Sequence, residues 1–380
     1  MATSNTWRNR SRSSMKTVKF VDLGRQYLRL RTEIQEKFDE ISRSGDYILS
    51  REVAAFESEF AEYCGVPHAI GVGNGSDALL LSLLALGVGP GDEVVTVPNS
   101  FVASAWVIAR AGARIVFCDT GEDMNMDPAR LREAVTPKTK AVLPVHLTGR
   151  VANMDAILKV ARELNLRVVE DAAQAVGARR NGRRAGSFGD CAGFSLHPLK
   201  NLHVHGDGGV ITTGDADICE HLKKYRNHGL RNRDECEFWG MNSRLDAVQA
   251  AIARIKLPRL NEWNERYRAL AGRYRRGLEG LVEVPGEESG EEPVYHRFMI
   301  RHTQRDALQA HLAARGVETK VNYPIPLHLQ PAASGLGYRE GDFPVAERLA
   351  RTILSLPLYP ELEEDDVDYV IEQIQEFIRR

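Results

Sequence analysis

Short apolar runs alternate with segments of helical length over the first two thirds of the chain. The runs are rich in β-branched residues and bounded by turn residues, a pattern typical of strands. They occupy 68–75, 92–97, 113–119, 140–147 and 166–173. The intervening segments include an almost wholly apolar stretch over 76–86 and a stretch of helical periodicity over 154–164. This alternation predicts βαβ crossovers and a largely parallel sheet covered by helices on both faces.

The pattern changes after Gly240. Residues 243–280 predict one or two long helices, and the acidic, Gly- and Pro-containing segment 284–294 predicts an exposed loop. A final helix places Val367, Val370, Ile371, Ile374, Phe377 and Ile378 on one face. We therefore predict an α/β protein with a large domain over 18–250 and a smaller C-terminal α+β domain over 251–380.

The first residues differ from both domains. Residues 1–14 are rich in Ser and Arg, contain no acidic residue and lack the apolar core of a secretory signal. We expect a disordered leader over residues 1–17, with a transit peptide as the alternative and Met15 as a second candidate start.

Charge and cysteine content argue against several classes of protein. The 380 residues carry 50 Lys and Arg against 52 Asp and Glu, and this balance argues against nucleic-acid binding or an anionic membrane surface. No apolar run approaches the roughly 20 residues that span a bilayer. Five cysteines without C-x-x-C spacing favour a reducing compartment and argue against a disulfide framework. We expect a cytoplasmic enzyme.

A glycine-rich turn in GVGNGSDALL connects a predicted strand to a predicted helix. Gly73 and Gly75 permit close approach of a ligand, and Ser76 is a good N-cap for a helix whose free N–H groups attract anions. The turn predicts a phosphate site or, alternatively, an ordinary capped turn. A dinucleotide fold needs an acidic residue at the end of the next strand. Asp92 and Glu93 instead open that strand, which argues against a Rossmann dehydrogenase.

Two further segments place polar residues beside buried strands. Glu170 and Asp171 end the run VVED, where a carboxylate could bind a metal, pair with an arginine, hold a protonated ring nitrogen or cap a helix. Lys200 lies between the apolar runs GFSL and GVITT, where desolvation could make its amine a nucleophile. His203 and His205 lack a third ligand at suitable spacing, so we predict no metal site.

For three other residues, an ordinary structural role is the alternative to a functional one. Phe101 follows a strand, where it could belong to the core or stack on a flat ring. Asn242 and Arg244 precede an apolar helix as a turn residue and a solvated charge.

In their order along the chain, these segments resemble the DegT/DnrJ/EryC1/StrS sugar aminotransferases, pyridoxal-phosphate (PLP) enzymes of fold type I. The similarity extends from about Phe20 to the C-terminus. It includes FESEFAEYCGVPHAIGVGNGSDAL, GVGPGDEVV, EDAAQA, FSLHPLKNL, GDGGVITT, RNHGL, NSRLDAVQAAI, YPIPLH and LSLPLYP.

The resemblance implies a role for each candidate residue. Lys200 would form a Schiff base with PLP and then move the proton between the substrate and the cofactor. Asp171 would pair with the pyridine nitrogen. Phe101 would stack on the ring and Gln174 would reach its 3-hydroxyl group. The phosphate would be held by Ser76, the backbone N–H of Asp77, and Ser195.

The resemblance also implies partners and substrates. Asn242, with Arg244 nearby, would complete the phosphate site of a neighbouring subunit, giving a homodimer with composite active sites. L-Glutamate or glutamine would donate an amino group to a keto sugar linked to dTDP, UDP or GDP, in a ping-pong cycle. The NSRLD segment is similar to relatives that act at the sugar's C3. Asn322 stands where many relatives have a histidine in the sugar pocket, and His328 is retained.

Two alternatives keep the fold but change the function. Relatives that dehydrate sugars at C3 generally replace the lysine with histidine, which Lys200 argues against. A non-catalytic regulatory or structural relative remains open, because a fold can outlive its function.

Overall fold

The computed structural model describes residues 16–380. Its main sheet has seven strands in the order β1-β9-β8-β5-β4-β2-β3. β9 alone runs antiparallel to its neighbours β1 and β8, and all the other pairs are parallel. The strands of this sheet are β1 (His68–Val72), β2 (Glu93–Thr96), β3 (Arg114–Phe117), β4 (Thr139–Val142), β5 (Arg167–Asp171), β8 (Cys191–Ser195) and β9 (Gly209–Thr213).

Two smaller sheets accompany it. One has the order β10-β6-β7 and the other pairs β11 with β12 antiparallel. Their strands are β6 (Arg179–Arg180), β7 (Arg183–Arg184), β10 (Glu291–Glu292), β11 (Phe298–Arg301) and β12 (Ile353–Leu356).

Helices surround the sheets. The α-helices are α1 (Leu23–Ser44), α2 (Arg51–Cys64), α3 (Gly75–Ala85), α4 (Val102–Arg110), α5 (Pro128–Ala134), α6 (Met154–Glu163), α7 (Ala216–Tyr225), α8 (Ala247–Lys256), α9 (Leu260–Leu278), α10 (Arg305–Ala313), α11 (Pro344–Thr352) and α12 (Glu364–Ile378). Short 3-10 helices cover Leu147–Gly149, Leu257–Arg259, Leu327–Leu329 and Pro331–Leu336.

Helix α3 is almost wholly apolar, and it is buried on most sides. Leu79, Leu81 and Leu83 are at most 2% exposed. Two glycines of the sheet allow this close approach: a Cβ at Gly193 would lie 2.7 Å from Leu79, and one at Gly209 would lie 2.3 Å from the carbonyl oxygen of Asn74. The sheet therefore holds the first turn of α3 against the ends of β8 and β9.

A second core lies towards the C-terminus. It joins α9, α10 and α12 to β11 and β12, and the Tyr274 ring stacks on Phe298 at 5.2 Å. Val18 belongs to this core and forms a bridge with Val317, so the start of the described chain packs beside the C-terminal elements. The division at residues 250 and 251 stays a prediction.

Most of the predicted leader, residues 1–15, lies outside the described part of the chain. Lys16 is described, and its Nζ lies 2.9 Å from Asp366. Between residues 16 and 380, no helix has both the length and the apolar character to cross a bilayer.

Candidate active site

A cavity of about 410 Å³ opens beside the carboxyl ends of the parallel strands. Parallel strands end at one edge of their sheet, so loops distant in sequence meet there. Seven predicted site residues line this cavity: Ser76, Phe101, Asp171, Gln174, Ser195, Lys200 and Asn322.

The glycine-rich turn forms one wall. Helix α3 begins at Gly75 with Asn74 as its N-cap, which corrects the expectation that Ser76 is the cap. Asn74 Oδ1 accepts the N–H of Asp77 at 2.8 Å. Gly75 lies directly against Ser195, because a Cβ at Gly75 would be only 2.6 Å from the Ser195 Cβ. Ser76 and Ser195 consequently share this wall.

The resemblance implied that the backbone N–H of Asp77 would bind the phosphate. Its N–H is already bonded to the Asn74 cap. Its side chain accepts the Ser243 hydroxyl at 2.6 Å, and Ser243 Oγ accepts the N–H of Gly73 at 3.0 Å. Asp77 thus joins the turn to the segment that carries Asn242, and it does not itself line the cavity.

Asp171 is buried at the end of β5. Ser104 Oγ donates to its Oδ2 at 2.7 Å, and the N–H of Ala173 donates to Oδ1 at 3.2 Å. Burial nevertheless raises the pKa of Asp171, against the opposing effects of these bonds and of Lys200 and His146. Burial disfavours the ionised carboxylate, and a cationic group bound beside it would stabilise that ionised form.

Lys200 is half-buried on the cavity wall. No carboxylate in residues 16–380 lies within 4.0 Å of its Nζ. Burial lowers the pKa of Lys200 to about 8, and the Arg297 charge contributes to this while Asp171 opposes it. A substantial fraction of the amine is consequently neutral at mildly alkaline pH, as a nucleophile or proton carrier requires.

Aromatic and amide groups complete the cavity. Phe101, which is 52% exposed, lies 5.8 Å from the Tyr323 ring. Gln174 Oε1 accepts the N–H of Thr148 at 2.8 Å, and its Nε2 donates to the Tyr323 hydroxyl at 3.5 Å. Asn322 Oδ1 accepts the Ser355 hydroxyl at 3.1 Å. These bonds fix two amides at the cavity wall.

Glu170, which the sequence left open as a metal ligand, has a structural role. Its carboxylate accepts the N–H groups of Gly186, Phe188 and Gly189 at 2.7–2.9 Å. His146 Nε2 also lies 2.8 Å from it. Because His146 Nδ1 accepts the N–H of Ala152, the Nε2 proton donates to Glu170. Among residues 16–380 no group of three potential metal ligands occurs, His203 and His205 included.

Besides Asp77, three predicted residues do not line the cavity in this single chain. Asn242 is exposed and bridges Asn227, while Arg244 donates to Asn227 Oδ1 at 3.1 Å. The prediction that His328 contacts substrate needs correction. Its side chain is fully buried, with Nε2 3.1 Å from Glu347 and the ring packed against Phe343, so no surface remains for a ligand.

Several residues that line the cavity were not predicted from the sequence. Asn74, Ser100, His296, Arg297 and Tyr323 line the cavity, and Ser104, in the first turn of α4, donates a hydrogen bond to Asp171. Asn74 could have been found as a second candidate cap beside Ser76. No local pattern marks Arg297, which reaches the cavity from the segment before β11.

Comparison with known proteins identifies the family. The model of the DegT/DnrJ/EryC1/StrS aminotransferase family matches residues 29–375. The chain belongs to this family. The predicted family and aminotransferase class are thereby confirmed, and the α/β architecture with its mostly parallel sheet confirms the predicted fold class.

Individual relatives agree with this assignment. The chain is 44% identical to the Streptomyces venezuelae dTDP-3-amino-3,4,6-trideoxy-alpha-D-glucose transaminase, covering 97% of this chain and 98% of the relative. It is 47% identical to the pleiotropic regulatory protein of Geobacillus stearothermophilus, covering 95% and 99%. The crystal structure of S. venezuelae DesV in complex with a ketimine intermediate matches with a TM-score of 0.94 at 45% identity, covering 96% and 99%.

Proposed function

We propose that this chain is a PLP-dependent aminotransferase that moves an amino group from L-glutamate, or L-glutamine, to a nucleotide-linked keto sugar. One arrangement carries the proposal. The unpaired amine of Lys200 and the buried carboxylate of Asp171 line one cavity together with the first turn of α3.

The residues of the cavity fit PLP. The first turn of α3 provides N–H groups and the Ser76 hydroxyl for a phosphate, and Ser195 lies against the same turn. Burial raises the pKa of Asp171, and a cationic partner such as a protonated pyridine nitrogen would offset this by stabilising the ionised carboxylate. Phe101 presents an exposed ring that could cover a flat heterocycle.

Each residue then contributes separately to the reaction. When bound, PLP supplies an electron sink for the carbanion formed at the substrate carbon. Lys200 Nζ, with a pKa of about 8, accepts and returns a proton near neutral pH. Asp171 would hold a proton on the ring nitrogen of bound PLP, and Ser104 orients the carboxylate by donating a hydrogen bond to it. Gln174 is held by Thr148 and directs its amide toward the cavity.

The names of relatives support the substrate class. Besides the S. venezuelae transaminase, a 41% identical protein of Acidithiobacillus ferrooxidans is named UDP-N-acetyl-3-dehydro-alpha-D-glucosamine 3-aminotransferase. Both names place the amino group at the sugar's C3. We therefore assign C3 as the carbon that this chain aminates, consistent with its NSRLD segment.

We propose that the protein is a cytoplasmic homodimer with composite active sites. Asn242 is exposed outside the cavity of its own chain, so it is free to reach the phosphate site of a partner. Ser243 and Asp77 connect it to the glycine-rich turn. All five cysteines are free, and Cys64, Cys118, Cys191 and Cys219 are buried, which suits a reducing compartment.

A non-catalytic regulatory role is the alternative, because the G. stearothermophilus relative is named a pleiotropic regulatory protein. Lys200 and Asp171 both line the cavity here, which favours catalysis. Lys200 also argues against the sugar dehydratases, which generally carry histidine at that position.

The absorption spectrum of the PLP-loaded protein tests the proposal. A band near ~420 nm indicates covalent attachment to lysine, and L-glutamate should convert it to one near ~330 nm. Addition of a dTDP- or UDP-linked 3-keto sugar should then restore the first band. A band that stays unchanged when amino acids are added would contradict aminotransferase activity. The absence of any band with excess PLP would favour a regulatory role.

A further inference from the structure

Among the described residues, 16–380, Arg297 is the only arginine that lines the cavity. It lies immediately before β11 and is half-buried. Its guanidinium lies 5.0 Å from the centre of the Phe20 ring, and its NH1 donates to the His296 carbonyl at 2.9 Å. No Asp or Glu of the described chain lies within 4.0 Å of this guanidinium.

This lack of an acidic partner distinguishes Arg297 from the next two arginines of the chain, Arg301 and Arg305. Arg301 pairs with Glu122 and Glu283, each at 2.6 Å, and Arg305 pairs with Asp306 at 2.5 Å. A partly buried cation without a counter-ion is unfavourable unless a ligand supplies the negative charge. The guanidinium, with its parallel N–H groups, matches a carboxylate or a phosphate.

The surroundings hold Arg297 in place. The His296 ring is buried, and its Nδ1 lies 3.2 Å from Asn201 Oδ1. The N–H of Arg297 donates to the Thr148 carbonyl at 3.4 Å. Phe20 provides a face for the guanidinium to rest on. Such a group is positioned before a ligand arrives, which reduces the entropy lost on binding.

The position of Arg297 relative to Lys200 indicates which anionic group it binds. Arg297 and Lys200 line the same cavity. The charge of Arg297 also contributes to the lowered pKa of Lys200. The amino nitrogen of a donor must reach the site that Lys200 serves. In an amino acid the α-carboxylate lies only two bonds from that nitrogen, whereas the side-chain carboxylate of glutamate is further away along the chain.

We propose that Arg297 binds the α-carboxylate of the amino-acid donor and thereby determines that the donor is an α-amino acid. This inference rests on the proposed aminotransferase function. The diphosphate of a nucleotide-linked sugar presents the same anionic chemistry to a guanidinium. The experiment must therefore separate the two sources.

Donors that differ by one carboxylate provide the test. L-Glutamine lacks the side-chain charge of L-glutamate, and 4-aminobutyrate is L-glutamate without its α-carboxylate. The rate and half-saturation of the first half-reaction would be measured with each donor, using PLP-loaded wild type, Arg297→Gln and Arg297→Lys. Calorimetry with glutarate and with dTDP or UDP gives binding without turnover. The control is Arg339→Gln, since the side chain of Arg339 is 88% exposed on another loop.

We expect Arg297→Gln to lower the efficiency with both L-glutamate and L-glutamine about a hundredfold, mainly through half-saturation, and to leave 4-aminobutyrate unchanged. Glutarate binding should weaken while nucleotide binding is retained. Arg297→Lys should recover part of the loss because it keeps the charge. Arg339→Gln should match the wild type.

Other outcomes overturn the inference in distinct ways. A loss for L-glutamate but not L-glutamine would assign Arg297 to the side-chain carboxylate. Weakened nucleotide binding with unchanged donors would assign it to the diphosphate. If wild type converts L-glutamate and Arg297→Gln does so equally well, the inference alone fails. If wild type shows no conversion with any donor, the proposed function fails.

Discussion

Ser104 Oγ donates a hydrogen bond of 2.7 Å to Oδ2 of Asp171, which lies 67 residues further along the chain. An ionised carboxylate only accepts hydrogen bonds, so the hydroxyl proton of Ser104 points to Asp171. Ser104 Oγ then accepts the Ser100 hydroxyl at 2.8 Å. These two hydroxyls connect the segment before α4, through Ser104 on α4, to the end of β5 and fix the orientation of Asp171.

Asp171→Asn should retain part of the PLP binding but lower turnover roughly a hundredfold or more, because a neutral amide does not stabilise a proton on the ring nitrogen. Ser104→Ala removes a bond that lowers the pKa of Asp171, so that pKa should rise further. The acid limb of the activity profile should then move to higher pH. Steady-state rates between about pH 5 and 9 measure both effects. Unchanged turnover in Asp171→Asn would mean that another residue serves the ring nitrogen.

Lys200→Ala should abolish the ~420 nm band and transamination, since no amine remains to attach the cofactor. The Lys200 side chain has no carboxylate partner within residues 16–380, so the fold should be retained. Absorption spectra, turnover and thermal unfolding test this. Full activity of the variant would contradict the mechanism.

The rate of PLP attachment to the apoprotein should depend on pH with a midpoint near 8. The pKa of Lys200 is lowered to about 8 from 10.5, and only the neutral amine reacts. The rate should rise about tenfold per pH unit below the midpoint and level off above it. Stopped-flow absorbance would follow the reaction. A rate that still rises steeply to about pH 10 would show that the amine has its ordinary pKa.

Gly75→Ala should weaken PLP binding and destabilise the fold by about 1–3 kcal/mol, because the new methyl group would overlap the Ser195 Cβ at 2.6 Å. Gly214→Ala is the matched control, since no atom lies within 4 Å of the position that its new methyl group would occupy. PLP titration and denaturant unfolding should distinguish the two. Equal behaviour of both variants would argue against a tight contact between α3 and Ser195.

Asn242→Ala should weaken PLP binding by about tenfold in the proposed dimer, through loss of a phosphate contact supplied by the partner. Mixed dimers with Lys200→Ala test the composite site. One site of each mixed dimer then contains an intact Lys200 and receives an intact Asn242, so activity should return at limiting PLP. The absence of complementation in verified mixed dimers would place Asn242 in the site of its own chain.

Local patterns in the sequence determined much of this protein. Alternating apolar runs predicted the strands of the parallel sheet, because a buried strand needs a continuous apolar segment. The final helix was recognisable from the spacing of Val367, Val370, Ile371 and Ile374, all of which are buried. Lys200, Asp171 and the glycine-rich turn follow predicted strands, so their place at one edge of the sheet could also be foreseen.

The tertiary structure decided what each polar group does. Glu170 and Asp171 are neighbours in the chain, yet Glu170 is saturated by three backbone N–H groups while Asp171 faces the cavity. His328 is buried against Phe343, and Arg297 enters the cavity from a distant segment. Periodicity reports burial of a local segment, whereas the role of a charge depends on partners that only the packing of distant segments supplies.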